Sequence, residues 1–243
     1  YEDNFKLNVD ALNEMITPKT KLVVISHPHN PTGSVITLET LKDIIEIVED
    51  NNLYLLSDEI YRELSFTHKP LPPAATLSDR AVSNASISKL HGLPGLRIGW
   101  MAADETIIDV AKEIRSYTTI CNSTLSEYLS KLAFERKKEL VARAEKIATT
   151  NLGVMEGWIE SREDVDWVPP EGGLVTFPRF YRDVASTELC TLLAEKYKVF
   201  VVPSKCFDVE DHFRIGFGWS ADELRRGLEF VGKALDSFKP LHK

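Results

Sequence analysis

The sequence predicts an α/β protein: a three-layer, mainly parallel sheet followed by a smaller C-terminal α+β domain. Three observations carry this expectation. A strand, a helix and a second strand follow one another between Leu22 and Asp58. Two further strand-like runs precede residue 105, and a long helical stretch then gives way to short apolar runs alternating with helices. A strand-helix-strand unit closes with a right-handed crossover, which makes its strands parallel and lays the helix on one sheet face.

The elements follow in order. Leu22-Val-Val-Ile-Ser26 is a β-branched run feeding a Pro/Asn/Gly turn, as a buried parallel strand does. Thr37 can cap the next helix, whose apolar residues Leu38, Leu41, Ile44, Ile45 and Val48 form a stripe of helical period before the polar run 49–52. Tyr54-Leu-Leu-Ser-Asp58 is the second strand. Ala81 to Ile87 and Arg97 to Ala103 read as two more, separated by a loop containing Gly92, Pro94 and Gly95. Helical patterning starts at Glu105, breaks near Cys121 to Thr124 where Asn, Ser and Thr cluster, and resumes from Glu127 to Trp158. Beyond the turn cluster Pro169-Pro-Glu-Gly-Gly173, strands are expected at 174–177, 199–202 and 213–217, with helices at 186–197 and 221–238. The expected division is 1–124 for the sheet domain and 125–243 for a connecting helix and the small domain. The chain contains no internal repeat or low-complexity segment.

Composition narrows the class. The chain is 43% hydrophobic and 27% charged, ordinary for a globular protein, and its formal charge of −8 argues against a nucleic-acid partner, which demands concentrated Lys and Arg. Cys121, Cys190 and Cys206 are far apart and odd in number, which suggests reduced structural thiols. No apolar run has the length of a membrane span and the first residues lack a signal pattern, so the expected setting is cytoplasmic, with no membrane partner. The triplets Asn84-Ala85-Ser86 and Asn122-Ser123-Thr124 then read as chance matches to a glycosylation site.

Three polar clusters fall at strand ends: 27–33, 57–61 and 86–89, the last running on to Arg97. In an open parallel sheet the loops after the carboxyl ends of the strands share one edge, where ligands bind. Their residues have plain structural readings too. Lys89 could be a solvated charge, Asp58 a helix cap, Asn30 part of an Asn-Pro turn, Tyr61 a core aromatic, and Arg97 and Arg214 members of surface ion pairs. His27, His29 and His91 lie close by, but His27-x-His29 has no third ligand at a usual spacing, so no metal is expected. Ser86-x-x-Lys89 matches a serine-nucleophile signature whose later Ser-Asp-Asn and Lys-Thr-Gly elements are missing here. Glycines 92, 95 and 99 precede a strand, not a helix, and so make no dinucleotide fingerprint.

Taken together, Asn30-Pro-Thr-Gly33, Asp58-Glu-Ile-Tyr61 and Ser86-x-Ser-Lys89-x-x-Gly92-x-x-Gly95-x-Arg97-x-Gly99 resemble the signature blocks of the class I/II aminotransferases of fold type I. The resemblance covers nearly the whole chain if Phe213-Arg-Ile-Gly-Phe217 is the family's late substrate-arginine strand. It implies pyridoxal 5'-phosphate as cofactor, carried by Lys89 as a Schiff base, with the freed amine later shuttling a proton. That job needs an amine neutral near pH 7, which burial and nearby positive charge can produce in a lysine. It further implies that Asp58 pairs with the pyridine nitrogen, that Asn30 and Tyr61 donate to the ring's 3-oxygen, and that Arg97 with Ser86 and Ser88 grips the phosphate. Arg214 resembles the arginine that binds the substrate's α-carboxylate.

By the same resemblance the protein is an aminotransferase exchanging an amino group between an amino acid and a 2-oxo acid, and a homodimer. Lyases, cyclases and oxidative enzymes share the constellation, and a non-catalytic sensor or truncated module is the alternative from another class. Relatives carry further chain before the segment matching Tyr1 to Thr20, including a phosphate-holding turn and an aromatic that stacks on the ring. Tyr1 to Leu7 therefore reads as chain entered in mid-domain. The expectation is a part of a longer chain, because a sheet lacking its first strands exposes an unpaired apolar edge; the alternative is a naturally short protein.

Overall fold

The computed structural model describes residues 3–67 and 69–241; Tyr1 and Glu2 of the mid-domain segment lie outside the described residues. The described residues fall into two compact units. One comprises the described residues of 6–29 and 34–144, the other 3–5, 30–33 and 145–241.

In the sheet unit, helix α1 (Val9–Glu14) is capped by the Asn8 side chain and leads to strand β1 (Leu22–Ser26). Helix α2 (Leu38–Asp50) follows, with the Thr37 hydroxyl accepting from Thr40 N at its start, then strand β2 (Tyr54–Asp58). The apolar stripe of α2 is buried at Leu41, Ile44, Ile45 and Val48 and packs with Val23, Ile25, Leu55 and Ala81 into the core of this unit. Each of the Leu, Ile and Val side chains contributes about 1.5–3 kcal/mol of transfer free energy. Strand β3 (Ala81–Ser86) pairs in parallel with β2, as β2 does with β1, whereas β4 (Gly99–Ala102) pairs antiparallel to β3. The order is β1-β2-β3-β4. Its outer strands expose apolar side chains: Val24 is 62% exposed on β1, and Trp100 is 41% exposed on β4.

Helices α3 (Glu105–Tyr117) and α4 (Thr124–Glu135) are separated where the sequence placed a break, with Ser123 capping the second. The expected single helix from 127 to 158 is two helices, because α4 ends at Glu135 with Arg136 as its cap and α5 (Lys137–Glu160) begins at once. No Gly or Pro marks the break. A long-range contact accompanies it: Lys137 Nζ at the head of α5 lies 2.7 Å from a Glu63 carboxylate oxygen.

The second unit contains the rest of α5 and three small strand pairings. Strand β5 (Val165–Asp166) pairs with β7 (Arg179–Phe180), while β9 (Phe213–Gly216) lies between β6 (Val175–Thr176) and β8 (Val202–Pro203). Helix α6 (Ser186–Leu192), a π turn over Leu193–Tyr197 and α7 (Ala221–Leu235) complete it. Phe180, Phe213, Phe217, Leu189, Leu193, Met155 and Leu235 are almost fully buried and form the interior. Asn151 of α5, 1% exposed, donates to the carbonyls of Phe217 (2.6 Å) and Trp219 (2.8 Å), fixing the chain as it leaves β9. Asp164 accepts from both Arg162 (2.8 Å) and Arg182 (2.7 Å), and Arg162 also reaches Asp236 at 2.6 Å, which ties α7's end to the β5 region. Among the described residues no helix is long and apolar enough to cross a membrane.

Candidate active site

Six of the eight sequence-derived site residues lie in the sheet unit, at or just beyond the carboxyl ends of neighbouring strands. Asp58 ends β2, half-buried, opposite Asn84 in the parallel register, two residues before Ser86. Its Oδ1 accepts from Ile60 N at 3.2 Å, so the carboxylate also shapes the turn that follows. Tyr61 is 4% exposed and fixed by that turn, where Leu64 N donates to Tyr61 O at 2.7 Å.

Ser86 ends β3, and its hydroxyl accepts from Ser88 N at 3.2 Å. Lys89 follows in a turn closed by Gly92 N donating to Lys89 O at 3.0 Å. The lysine is exposed. This departs from the burial expected of it, because the turn projects past the strand end and no described residue covers it.

Arg97 departs as well. Instead of opening a strand it caps the 3-10 turn Pro94–Leu96 in the left-handed region at φ 54°, and one guanidinium N–H goes to Pro94 O at 3.1 Å. The neighbouring Ile98 carbonyl accepts from Ile87 N at 3.3 Å, so Arg97 and the 86–88 segment flank the same backbone bond.

The other two residues meet in the second unit. Arg214, on β9, donates to Asn30 Oδ1 at 2.9 Å across a sequence separation of 184 residues, and its guanidinium lies 5.5 Å from the Phe207 ring centre. An amide whose oxygen is taken in this way still offers its N–H groups to a ligand. Gly33, three residues on, has φ 74° and presses against the 169–173 turn, where Glu171 N (2.9 Å) and Gly172 N (3.0 Å) donate to its carbonyl. A Cβ here would overlap Pro170.

His27 closes β1 beside Asp58: its backbone N donates to Asp58 O at 2.9 Å and its Nδ1 accepts from Ile36 N at 3.3 Å. Burial, with Arg62 adding positive charge, lowers its pKa to about 4, so the imidazole is neutral at pH 7. The unfolded chain binds a proton below pH 6.5 that folded His27 refuses until about pH 4, so stability falls as pH drops through this window, by on the order of 3 kcal/mol. His29, His91 and His212 are lowered too, chiefly by burial, and act in the same direction. In urea unfolding between pH 7 and 4, His27→Asn is expected to flatten the pH slope by about one proton's worth relative to wild type.

Cys190 is buried and pushed up to about 12 by burial, with Cys206 adding, while Cys121 and Cys206 are exposed thiols. Among the described residues no group of three His, Cys, Asp or Glu side chains could hold a metal.

The sequence reading missed Glu59. It is 7% exposed and accepts from Ala74 N and the Ser83 hydroxyl. Its place between Asp58 and Tyr61 was a signal; the partners, far along the chain, left none.

In chemical terms, the sheet unit offers a primary amine, a half-buried carboxylate, a phenol, two hydroxyls and a guanidinium on consecutive strand ends. That donor set fits pyridoxal 5'-phosphate. The amine matches its aldehyde, the carboxylate its ring nitrogen, and the guanidinium with the serines its phosphate. Fold and donor set thus define an α/β protein of the pyridoxal-phosphate-binding class. The chain belongs to the class I and II aminotransferase family, whose model matches residues 1–231.

Capreomycidine synthase of Streptomyces vinaceus is 32% identical over 235 residues, covering 96% of this chain and 60% of the synthase. Aromatic-amino-acid aminotransferase 2 of Thermococcus litoralis is 28% identical, covering 98% of this chain and 64% of its own length. Among solved structures, a PLP-dependent aminotransferase from Streptococcus suis superposes with a TM-score of 0.92 at 30% identity over 99% of this chain and 64% of that one. The chain thus spans between 60% and 64% of the length of these relatives.

Proposed function

We propose that the protein is a pyridoxal-phosphate-dependent aminotransferase that moves an amino group from an amino acid to a 2-oxo acid. The observation that carries this reading is the Arg214–Asn30 hydrogen bond at 2.9 Å, which joins the family's substrate-carboxylate arginine to the residue matching its ring-oxygen donor. The cofactor supplies an electron-accepting ring that stabilises negative charge at the substrate's Cα.

The chain's own residues do the rest. Lys89 Nζ would hold the cofactor through its amine and, once free, would carry the proton that leaves the substrate's Cα. The Asp58 carboxylate keeps a proton on the ring nitrogen. Asn30 and Tyr61 donate to the ring's 3-oxygen, and Arg97, Ser86 and Ser88 hold the phosphate by charge-assisted hydrogen bonds. Arg214 receives the α-carboxylate of either substrate in a forked pair, since its planar guanidinium matches a carboxylate. In this reading residues 1–124 form the cofactor domain, 125–243 the connecting helix and small domain, and the enzyme is a cytoplasmic homodimer.

The test is a screen of single amino acids against the cofactor-loaded protein, with mass spectrometry of products. An aminotransferase releases one 2-oxo acid per site without a second substrate and turns over only when another 2-oxo acid is added. A second reading, a cyclase acting on an amino acid, is favoured by the 32% identity to capreomycidine synthase. A product retaining its nitrogen in a new ring, with no oxo acid formed, selects it. A protein that takes up no cofactor sinks both.

A further inference from the structure

The turn that presents Asp58 and Tyr61 is held by a buried acid. Glu59, between them in the chain, is 7% exposed. Its Oε1 accepts from Ala74 N at 2.8 Å and from the Ser83 hydroxyl at 2.6 Å, and its Oε2 lies 3.3 Å from Arg62 Nε. Ser83 is used in both directions, because its Oγ also accepts from Ala75 N at 3.0 Å. Arg62 in turn donates to Leu71 O at 2.7 Å, which ties the start of the segment after β2 to its later part.

The contact with Ser83 has a particular geometry. Ser83 pairs with Ser57 in the β2–β3 register and lies on β3, which ends at Ser86 and is followed by the turn carrying Ser88 and Lys89. Glu59 N adds a backbone bond to Asn84 O at 2.9 Å. The Glu59 carboxylate thus cross-braces the end of the strand bearing Asp58 to β3, the strand that leads into the turn bearing Lys89. Hydrogen bonds to an ionised acceptor are short and stiff, and a misplacement of about 1 Å can cost 100-fold in rate.

We propose that Glu59 is a positioning residue: through Ser83 it sets the spacing between the Asp58 carboxylate and the Lys89 amine, and so the electronic state of the bound cofactor. This rests on the aminotransferase-type reading of Asp58 and Lys89.

The experiment uses the full-length, cofactor-loaded protein with Glu59→Leu, Glu59→Gln and Ser83→Ala. The readouts are the pH profile of the bound cofactor's visible absorbance, the kcat and KM of the reaction found in the screen, and the Tm of the apo-protein. Glu59→Leu is expected to move the absorbance titration by about half a pH unit or more, and to lower kcat by about 10- to 100-fold with KM within about threefold. Glu59→Gln keeps an oxygen for Ala74 N and Ser83, and is expected to restore the profile. Where Glu59→Leu fails to fold, Ser83→Ala keeps the Glu59 carboxylate and removes the cross-brace together with the acceptor of Ala75 N, and is expected to shift the titration in the same direction.

A lowered Tm with an absorbance titration superimposable on wild type, in Glu59→Leu or in Ser83→Ala, overturns the proposal and leaves Glu59 a fold residue only. Wild-type protein that binds no cofactor would instead sink the reading beneath it, so the two failures are distinguishable.

Discussion

Lys89→Ala is expected to abolish the visible absorbance of the cofactor-loaded protein and to lower turnover by at least about 10⁴-fold, since it removes both the covalent anchor and the proton carrier. Lys89 is exposed, and its turn is closed by a backbone bond that alanine retains, so the apo-protein should fold with an unchanged Tm. Borohydride reduction followed by peptide mapping places the cofactor on a single lysine in wild type and on none in the variant. Lys89→Arg should be as inactive as alanine, because a guanidinium stays protonated and cannot serve as a base. Full absorbance in Lys89→Ala would remove Lys89 from the site.

Asp58→Asn is the second large effect, expected at about 10³-fold in turnover, or on the order of 4 kcal/mol of transition-state stabilisation. Asparagine is the informative substitution. Its side-chain oxygen can still accept from Ile60 N, as Asp58 does at 3.2 Å, so the turn survives while the charge that holds a proton on the ring nitrogen is gone. Stopped-flow rates of loss of the cofactor band on adding amino acid report the step affected. A rate within about twofold of wild type would mean that Asp58 serves only as the turn's cap.

Where the sequence was legible, the reason is local. The Leu22–Ser26 strand, the Thr37 cap and the apolar stripe of α2 announce themselves because period, cap and turn chemistry depend on near neighbours. The strand-end clusters 57–61 and 86–89 were legible for the same reason, and the structure puts them on adjacent parallel strands.

What escaped is mostly what distant chain decides. Nothing near Arg97 signals that it takes φ 54° and lies outside the strand, or that β4 runs antiparallel. The α4–α5 break at Arg136 coincides with a charge contact to Glu63, more than seventy residues earlier. Asn30 reads as an Asn-Pro turn residue, yet its amide oxygen is bound by Arg214, 184 residues on. Glu59 looks like an ordinary acid in a charged stretch until Ser83 and Ala74 are seen to bind it. For the helix break, Asn30 and Glu59 the partner lies far beyond any window in which propensity or periodicity operates.

The packing of Gly33 against the 169–173 turn has a consequence at the level of the gene. Every single-base missense change out of a glycine codon yields an amino acid bearing a Cβ, and at this position that carbon would fall within Pro170 while the backbone holds φ 74°. The codon therefore has no mild neighbour. Drift beside Asn30 would have to begin in the Pro-Pro-Glu-Gly-Gly stretch, well over a hundred codons downstream.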